Sequence, residues 1–210
     1  MRVSVYVDGF NLYYRTLRRS PHKWLNLWVL AQSLLNEGDE LRELHYFTAR
    51  VSSRAADPEA PKRQQLYLSA LKTMPHCRIH YGRFLTNNKW RPIAHPAWNP
   101  HVCVEIMNTE EKGSDVNLAT HLLNDAWHDR FEAALVFTQD TDLLETMRIV
   151  KNEREKVVGL VWLDGRNPSN KFVRASSFVR HVTASRLAAA QFDDELMGKD
   201  GHLIRKPETW

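Results

Sequence analysis

The sequence has 210 residues, of which 43% are hydrophobic and 26% are charged, and its formal net charge is +4 at pH 7. These proportions are typical of one globular domain of ordinary size, and they exclude a disordered or fibrous chain. Apolar runs such as residues 157–163 are much shorter than the ~20 residues that span a bilayer. We therefore expect a cytoplasmic protein with no membrane contact.

The two cysteines and the first residues agree with this expectation. Cys77 and Cys103 have no CxxC spacing and lie in apolar stretches, which is typical of buried, reduced thiols. A disulfide or a zinc pair is the alternative. The first residues enter a predicted strand directly, without the pattern of a signal peptide.

Short β-rich runs alternate with helical patterns, which is typical of a parallel sheet covered by helices. The predicted strands are residues 2–8, 44–49, 78–81, 101–106, 133–138 and 157–163. The predicted helices are residues 11–19, 25–36, 59–72, 115–127 and 141–152, with shorter ones at 166–177 and 184–192. Residues 86–100, with three prolines and two tryptophans, are predicted to form a long ordered loop or an irregular hairpin. The pattern predicts one α/β domain over residues 1–192 and a loose, polar C-terminal tail over residues 193–210.

Acidic residues follow two of the predicted strands. Asp8 ends the first strand and is followed by Gly9 and, two residues later, Asn11; Asp140 and Asp142 follow the strand 133–138. Ligands of open parallel sheets bind outside the carboxyl ends of the strands. Each acid alone is also explained by a turn or a helix cap.

A further acid, Asp115, lies in the first turn of a predicted helix, on the face that should pack on the sheet. Three or four carboxylates at one edge would repel each other unless they bind a divalent cation. Oxygen-only ligands suit Mg²⁺ or Mn²⁺. The sequence therefore predicts a metal site formed by Asp8, Asp115, Asp140 and Asp142.

Three segments carry a resemblance to a known family. Residues 5–12 (VYVDGFNL), 110–116 (EEKGSDV) and 138–143 (TQDTDL) resemble the three signature blocks of the NYN domain. Their spacing and residues 177–192 are most similar to the bacterial LabA-like branch. The resemblance covers residues 2–192 and implies a PIN-like fold, in which acidic residues hold one or two Mg²⁺ or Mn²⁺ ions and cleave RNA or, in some relatives, DNA. It also makes self-association plausible.

The resemblance assigns roles residue by residue. Asp8, Asp115 and Asp140 match the metal-binding acids of the family, and Asp142 matches the second acid of its third block. Asn11 matches the asparagine of the first block, where it would orient an acid or contact phosphate. His121 stands where many members have a further Asp; we expect a polar histidine at the boundary of the core, and a metal ligand is the alternative.

The resulting functional hypothesis is a metal-dependent ribonuclease that hydrolyses phosphodiester bonds, acting endonucleolytically on single-stranded or structured RNA. Basic and aromatic side chains around the site would bind the nucleic acid: Arg15, Arg18, Arg19, Lys112, Trp90 and Arg91. Solvated helix faces and loop packing explain the same residues. The rival functions are a haloacid-dehalogenase-type phosphatase, because Asp140 and Asp142 form a DxD block, and a non-catalytic RNA- or protein-binding regulator.

Overall fold

The computed structural model describes residues 1–93 and 102–210. The strands within these residues are β1 Arg2–Asp8, β2 Glu40–Thr48, β3 Cys77–Tyr81, β4 Arg83–Pro92, β5 Cys103–Lys112, β6 Ala133–Phe137, β7 Val157–Trp162, β8 Phe178–His181, β9 Glu195–Met197 and β10 Leu203–Arg205. The helices are α1 Gly9–Leu12, which continues as a π-helical turn over Tyr13–Leu17, α2 Leu27–Gln32, α3 Ala60–Thr73, α4 Ser114–Trp127, α5 Leu144–Asn152, α6 Asn170–Ala175 and α7 Ala184–Ala189. A 3₁₀ turn, Thr141–Leu143, precedes α5.

Six strands form the central sheet in the order β3-β2-β1-β6-β7-β8. Every pair within it is parallel. β1 lies in the middle, and all its residues except Arg2 are buried, because helices cover both faces as parallel sheets require.

The helices form two layers around the sheet. Leu118 and Leu122 of α4 and Met147 of α5 pack with Tyr6 and Phe47 on one face. The opposite face packs against α1, α2 and α3 and includes Leu12, Leu30, Leu68, Val5 and Tyr46. The predicted fold class, an α/β domain with a mainly parallel sheet in three layers, is confirmed.

The strand predicted at residues 101–106 does not join the central sheet. β5 instead pairs antiparallel with β4 over ten residue pairs, and the two strands form an arm. Most side chains of the arm are exposed, including apolar ones such as Val104 and Ile106, so the apolar character of this segment does not place it in the central sheet. The arm is the hairpin alternative predicted for residues 86–100; residues 94–101, including Trp98, lie outside the described residues.

The C-terminal segment is not the loose tail that the sequence predicts. β9 and β10 form an antiparallel hairpin, and Ile204 is buried in the core. The Trp210 ring packs against Trp24 and Tyr67, with centroids 6.4 and 5.8 Å apart. These isolated apolar residues anchor the segment without producing a periodic pattern.

Both cysteines are free thiols, so the disulfide alternative is wrong. Cys77 is partly buried, and burial raises its pKa to about 12. Cys103 is exposed because it lies on the arm, contrary to the expectation of two buried thiols. Across residues 1–93 and 102–210, no helix has both the length and the apolar character needed to cross a bilayer.

Candidate active site

Asp8 is the most constrained carboxylate at the carboxyl edge of the sheet. It ends β1 and is only 2% exposed. Its oxygens accept hydrogen bonds from the Asn11 backbone at 2.9 Å, from Asn11 Nδ2 at 2.6 Å and from Thr138 Oγ1 at 3.2 Å. Burial raises the pKa of Asp8, although these hydrogen bonds oppose the shift. Asn11 therefore orients the acid, as the resemblance implies.

Asp140 and Asp142 follow β6 at the same edge. The Asp140 backbone N–H donates to Thr138 Oγ1 at 3.0 Å, and the Asp140 carboxylate accepts from the Asp142 N–H at 2.9 Å. Asp140 thus caps the 3₁₀ turn that leads into α5, while Asp142 is exposed. Asp140 can cap this turn and bind a metal ion at the same time, because a carboxylate has more than one acceptor site.

Asp115 faces these acids from the first turn of α4. Burial raises its pKa to about 6, and the negative charges of Asp8, Asp140, Glu111 and Asp142 add to the shift. Charges separated by more than about a Debye length would not interact in this way. The four acids singled out from the sequence therefore lie within electrostatic range of one another, although among residues 1–93 and 102–210 no three of them bring carboxylate oxygens within 4.8 Å of each other.

Glu111 belongs to this edge and was missed by the sequence reasoning. Its carboxylate accepts from the Ser114 backbone at 3.1 Å and from Ser114 Oγ at 2.6 Å, and so it holds the first turn of α4. A Cβ atom on Gly82 would meet the Glu111 carboxylate and would lie 2.7 Å from the Lys112 carbonyl oxygen and 2.9 Å from the Ser114 nitrogen, so only glycine fits at that position. The sequence position of Glu111 could have indicated this role, since Glu111 precedes Ser114 by three residues at the start of a helix.

His121 does not join the aspartates. It lies six residues after Asp115 on α4 and is partly buried, as expected for a residue at the boundary of the core. Its ring lies 4.0 Å, centroid to centroid, from that of His80 on β3.

A cavity of about 290 Å³ opens beside the acidic edge, on the other face of the sheet. It begins at Gly9, directly after Asp8, and the Asp8 charge contributes to the raised pKa of Tyr46 in its wall. A Cβ atom on Gly9 would lie 2.6 Å from the Tyr46 ring, so glycine allows the wall and the edge to meet. The lining includes six aromatic residues and four basic ones: Phe10, Tyr13, Tyr14, Tyr46, Tyr67, Trp210, Arg18, Lys23, Arg54 and Arg63.

The residues predicted to bind nucleic acid belong to two separate elements. Arg15, Arg18 and Arg19 are exposed at the turn that continues α1, and Arg18 lies over the Tyr14 ring at 5.7 Å.

The other three residues lie on the arm. Lys112 pairs with Glu110 at 2.9 Å, and Arg91 is exposed. Trp90 is 67% exposed, so it does not pack the arm onto the domain. A role of these side chains in RNA binding stays a prediction, as does self-association.

The fold and the site define a class: a three-layer α/β domain with converging carboxylates at the carboxyl edge of its sheet. No family model matches the chain, so the resemblance to the NYN domain stays a prediction. A solved protein of unknown function from Vibrio parahaemolyticus shares the fold, with a TM-score of 0.54 and 11% identity over 87% of this chain and 93% of that one. This likeness shows the fold alone.

A curated relative identifies the family. The 6-hydroxy-3-succinoylpyridine 3-monooxygenase HspA from Pseudomonas putida is 30% identical over 237 aligned positions, which cover 100% of this chain and 75% of that enzyme. The chain belongs to the family of this monooxygenase.

The predicted function is therefore wrong. The relative is named as a monooxygenase, which is an oxidoreductase, whereas the sequence favoured a ribonuclease or another hydrolase of phosphate esters. The aspartates do converge, but their position follows from the fold, and folds of this kind carry unrelated chemistries at the same edge. Converging carboxylates indicate a cation site more directly than they indicate a reaction.

Proposed function

We propose that the protein is an oxidoreductase of the monooxygenase class whose substrate is a single-ring aromatic acid. The observation that carries this proposal is the cavity beside Asp8, which combines aromatic walls with basic side chains. The family supports the same class of compound, since the relative is named for a hydroxylated pyridine that carries a succinoyl chain.

The size and walls of the cavity favour a small planar ligand. A volume of about 290 Å³ is at the lower end of the range for ligand pockets, ~300–1,000 Å³, which suits one ring with a short side chain. Tyr13 and Tyr14 are edge to face at 5.3 Å, and Tyr14 also lies 6.5 Å from Phe10. Such aromatic surfaces bind a planar ring by offset or edge contacts.

Arg18 is the best placed cation for the carboxylate of such a substrate. Arg63 is engaged by the Asp57 carboxylate, and Lys23 donates to the Ser20 carbonyl at 2.9 Å. The Arg18 guanidinium lies over the Tyr14 ring at the cavity and is exposed. A guanidinium offers paired N–H donors that match a carboxylate.

The acidic edge does not fit the phosphates of a flavin. Monooxygenation places one oxygen atom of O₂ in the product and reduces the other to water with two electrons, and flavin, haem, copper or non-haem iron supplies that chemistry in enzymes. At the end of β1, the Asn11 N–H that a phosphate would need already donates to Asp8. The Tyr46 ring occupies the space beside Gly9. The neighbouring carboxylates would also repel an anion. We derive no step through a flavin.

The same edge would attract a divalent cation, Mg²⁺ or Mn²⁺. Asp8, Asp115 and Asp140 would hold it, because a positive charge favours the ionised form of Asp115, whose pKa is raised by burial and, to a smaller extent, by the neighbouring acids. A cation there would neutralise the edge and polarise an oxygen atom bound to it. Asn11 and Thr138 would keep Asp8 ionised and oriented through their hydrogen bonds. We place the protein in the cytoplasm, where free thiols such as those of Cys77 and Cys103 persist.

The experiment supplies the purified protein with 6-hydroxy-3-succinoylpyridine, Mn²⁺, NADH as the two-electron donor and ¹⁸O₂, in parallel reactions with and without FAD as the group that passes electrons to O₂, and follows the product by mass spectrometry. Incorporation of one ¹⁸O atom per turnover is expected. Calorimetric binding of the same compound tests the cavity independently of turnover.

Arg18→Ala is expected to weaken binding at least ~10-fold, since a charge-assisted hydrogen bond contributes about 1.5–3 kcal/mol. The control Arg42→Ala lies at the opposite end of the sheet, where Arg42 pairs with Glu40, and should bind as the wild type does. Oxygen derived from water, or binding that Arg18→Ala leaves unchanged, contradicts the proposal.

A further inference from the structure

Three histidines meet between the sheet and α4, away from the aspartates. His45 comes from β2, His80 from β3 and His121 from α4. Their possible ligand atoms all lie within 4.8 Å of one another, and His45 Nδ1 is 3.0 Å from His80 Nε2. In the part of the chain that the structure describes, this is the trio of potential metal ligands found at such spacing.

Two neighbouring carboxylates fix the orientation of the His45 ring, which is the most buried of the three. His45 Nε2 lies 3.1 Å from Glu43 Oε2 and 3.7 Å from Asp125 Oδ2. Nε2 therefore carries the proton, and the lone pair of Nδ1 points toward His80. Histidine ligands of metal ions in proteins are held in this manner, with the second ring nitrogen donating to a carboxylate.

Hydrogen bonds hold the Asp125 carboxylate in place. Asp125 is 2% exposed and accepts from Tyr6 Oη at 2.8 Å and from Arg130 at 2.6 Å. The His45 ring stacks on the Tyr6 ring at 5.0 Å. The rings are thus oriented before any ligand binds.

Packing alone explains two of the three rings. The hydrogen bond between His45 and His80 pairs one nitrogen of each, and His80 stacks on Phe47 at 4.6 Å. It does not explain why a third imidazole, His121, reaches the same point from the helix opposite. A cation that replaces the proton between His45 and His80 would use all three rings.

We propose that His45, His80 and His121 bind a divalent transition metal ion of the class that favours imidazole, with Zn²⁺ as its representative. Neutral imidazole suits Zn²⁺, whereas carboxylates suit Mg²⁺ and Mn²⁺. Three histidines leave the fourth position of a tetrahedral ion open. His121 lies six residues beyond Asp115, about 9 Å along the axis of α4, so this is a second site and not part of the acidic edge. His80 and His121 are partly exposed, which gives an ion access.

Metal binding by the metal-free full-length protein tests the proposal without reference to activity. In excess Mg²⁺, which would occupy the acidic edge, one equivalent of Co²⁺ per chain should bind and give the visible absorption of a site with nitrogen ligands, and Zn²⁺ should displace it. His121→Gln and His80→Gln are expected to lower Co²⁺ affinity at least ~100-fold. The matched control His202→Gln, at an exposed histidine of the C-terminal segment, should leave affinity unchanged.

A second measurement guards against variants that fail to fold. ¹¹³Cd NMR of the wild-type protein distinguishes nitrogen ligands from oxygen ligands and needs no substitution. The proposal is overturned if the cadmium signal reports only oxygen ligands, if Co²⁺ does not bind, or if Asp8→Asn abolishes Co²⁺ binding while folded His121→Gln retains it. Any of these outcomes would overturn the histidine metal site and leave the proposed aromatic-acid cavity unaffected, since the cavity is formed by other residues.

Discussion

Helix α4 connects two clusters of polar side chains that differ in chemistry. At its first turn, Asp115 faces Asp8 and Asp140, and burial together with these like charges raises its pKa to about 6. Further along, His121 faces His45 and His80, and burial together with the neighbouring imidazoles lowers the pKa of His80 to about 4. One cluster is a set of carboxylates at the carboxyl edge of the sheet, and the other is a set of imidazole rings between the sheet and α4.

Helix α4 therefore contributes one side chain to each of two clusters that respond differently to a cation. The acids repel one another, because the ion pairs found among residues 1–93 and 102–210 do not involve Asp8, Asp115 or Asp140, so the proposed cation would relieve their repulsion. His45 and His80 are stable without a cation, because burial lowers the pKa of both rings and His45 is hydrogen-bonded to His80 and to Glu43. A cation would therefore alter stability more at the acidic cluster, and selectivity among metals would be greater at the histidine cluster.

The largest expected effect comes from removing the support of the histidine cluster. Asp125→Ala leaves the buried Tyr6 hydroxyl and the Arg130 guanidinium without their shared partner. We expect the free energy of unfolding to fall by about 2 kcal/mol, because the buried Tyr6 hydroxyl loses its acceptor, whereas the Arg130 side chain is half exposed and can be solvated by water. Urea denaturation measures it, with Glu145→Ala, an exposed helix pair, as a control that changes stability by less than about 0.5 kcal/mol. A loss below about 1 kcal/mol for Asp125→Ala would show that the cluster does not depend on it.

A smaller effect of opposite sign is expected at the acidic cluster. The pKa of Asp115 is about 6 in the folded protein, against an ordinary 3.8, so the folded state holds this proton more tightly. Its stabilising effect is complete below about pH 4 and is lost as the pH rises through 6. In the absence of divalent cations, Asp115→Asn should therefore be more stable than the wild type at pH 7.5, by about 1 kcal/mol after allowance for solvent screening.

The pH dependence distinguishes this effect from a change in packing. Thermal unfolding of both proteins between pH 4 and pH 8 should show the difference shrinking toward zero at the acidic end. Asp193→Asn, at an exposed acid, is the control. A gain that persists unchanged at pH 4 would show that the repulsion is not its cause.

The smallest effect concerns Glu111, which repels Asp115 and also holds Ser114. Glu111→Gln removes the charge and retains one acceptor for the Ser114 donors. The pKa of Asp115 should fall, and the free energy of unfolding should change by less than about 0.5 kcal/mol. Carbon-13 NMR titration of the Asp115 carboxyl group measures the shift. An unchanged pKa would place Glu111 outside the acidic cluster.

The acidic cluster could be predicted from the sequence, and the histidine cluster could not. β1 has its predicted bounds, and α4 begins one residue before its prediction, because apolar runs and helical spacing are local patterns. Acids that follow such strands must meet at the carboxyl edge, whatever the register.

His45 and His80 meet only because β2 and β3 pair with Phe47 opposite His80, and His121 joins them through the packing of α4. No local pattern encodes such a meeting. The reaction was not predictable for a different reason, since the position of the acids follows from the fold and the chemistry follows from what the neighbouring cavity binds.

Thr138 gives the carboxyl edge a further property. Its hydroxyl donates to the Asp8 carboxylate and accepts from the Asp140 backbone, so a single oxygen atom bridges the ends of β1 and β6. Any event that draws the Asp8 carboxylate toward a ligand also pulls on the loop that carries Asp140. The ends of β1 and β6 are therefore joined by a side-chain hydroxyl as well as by the sheet.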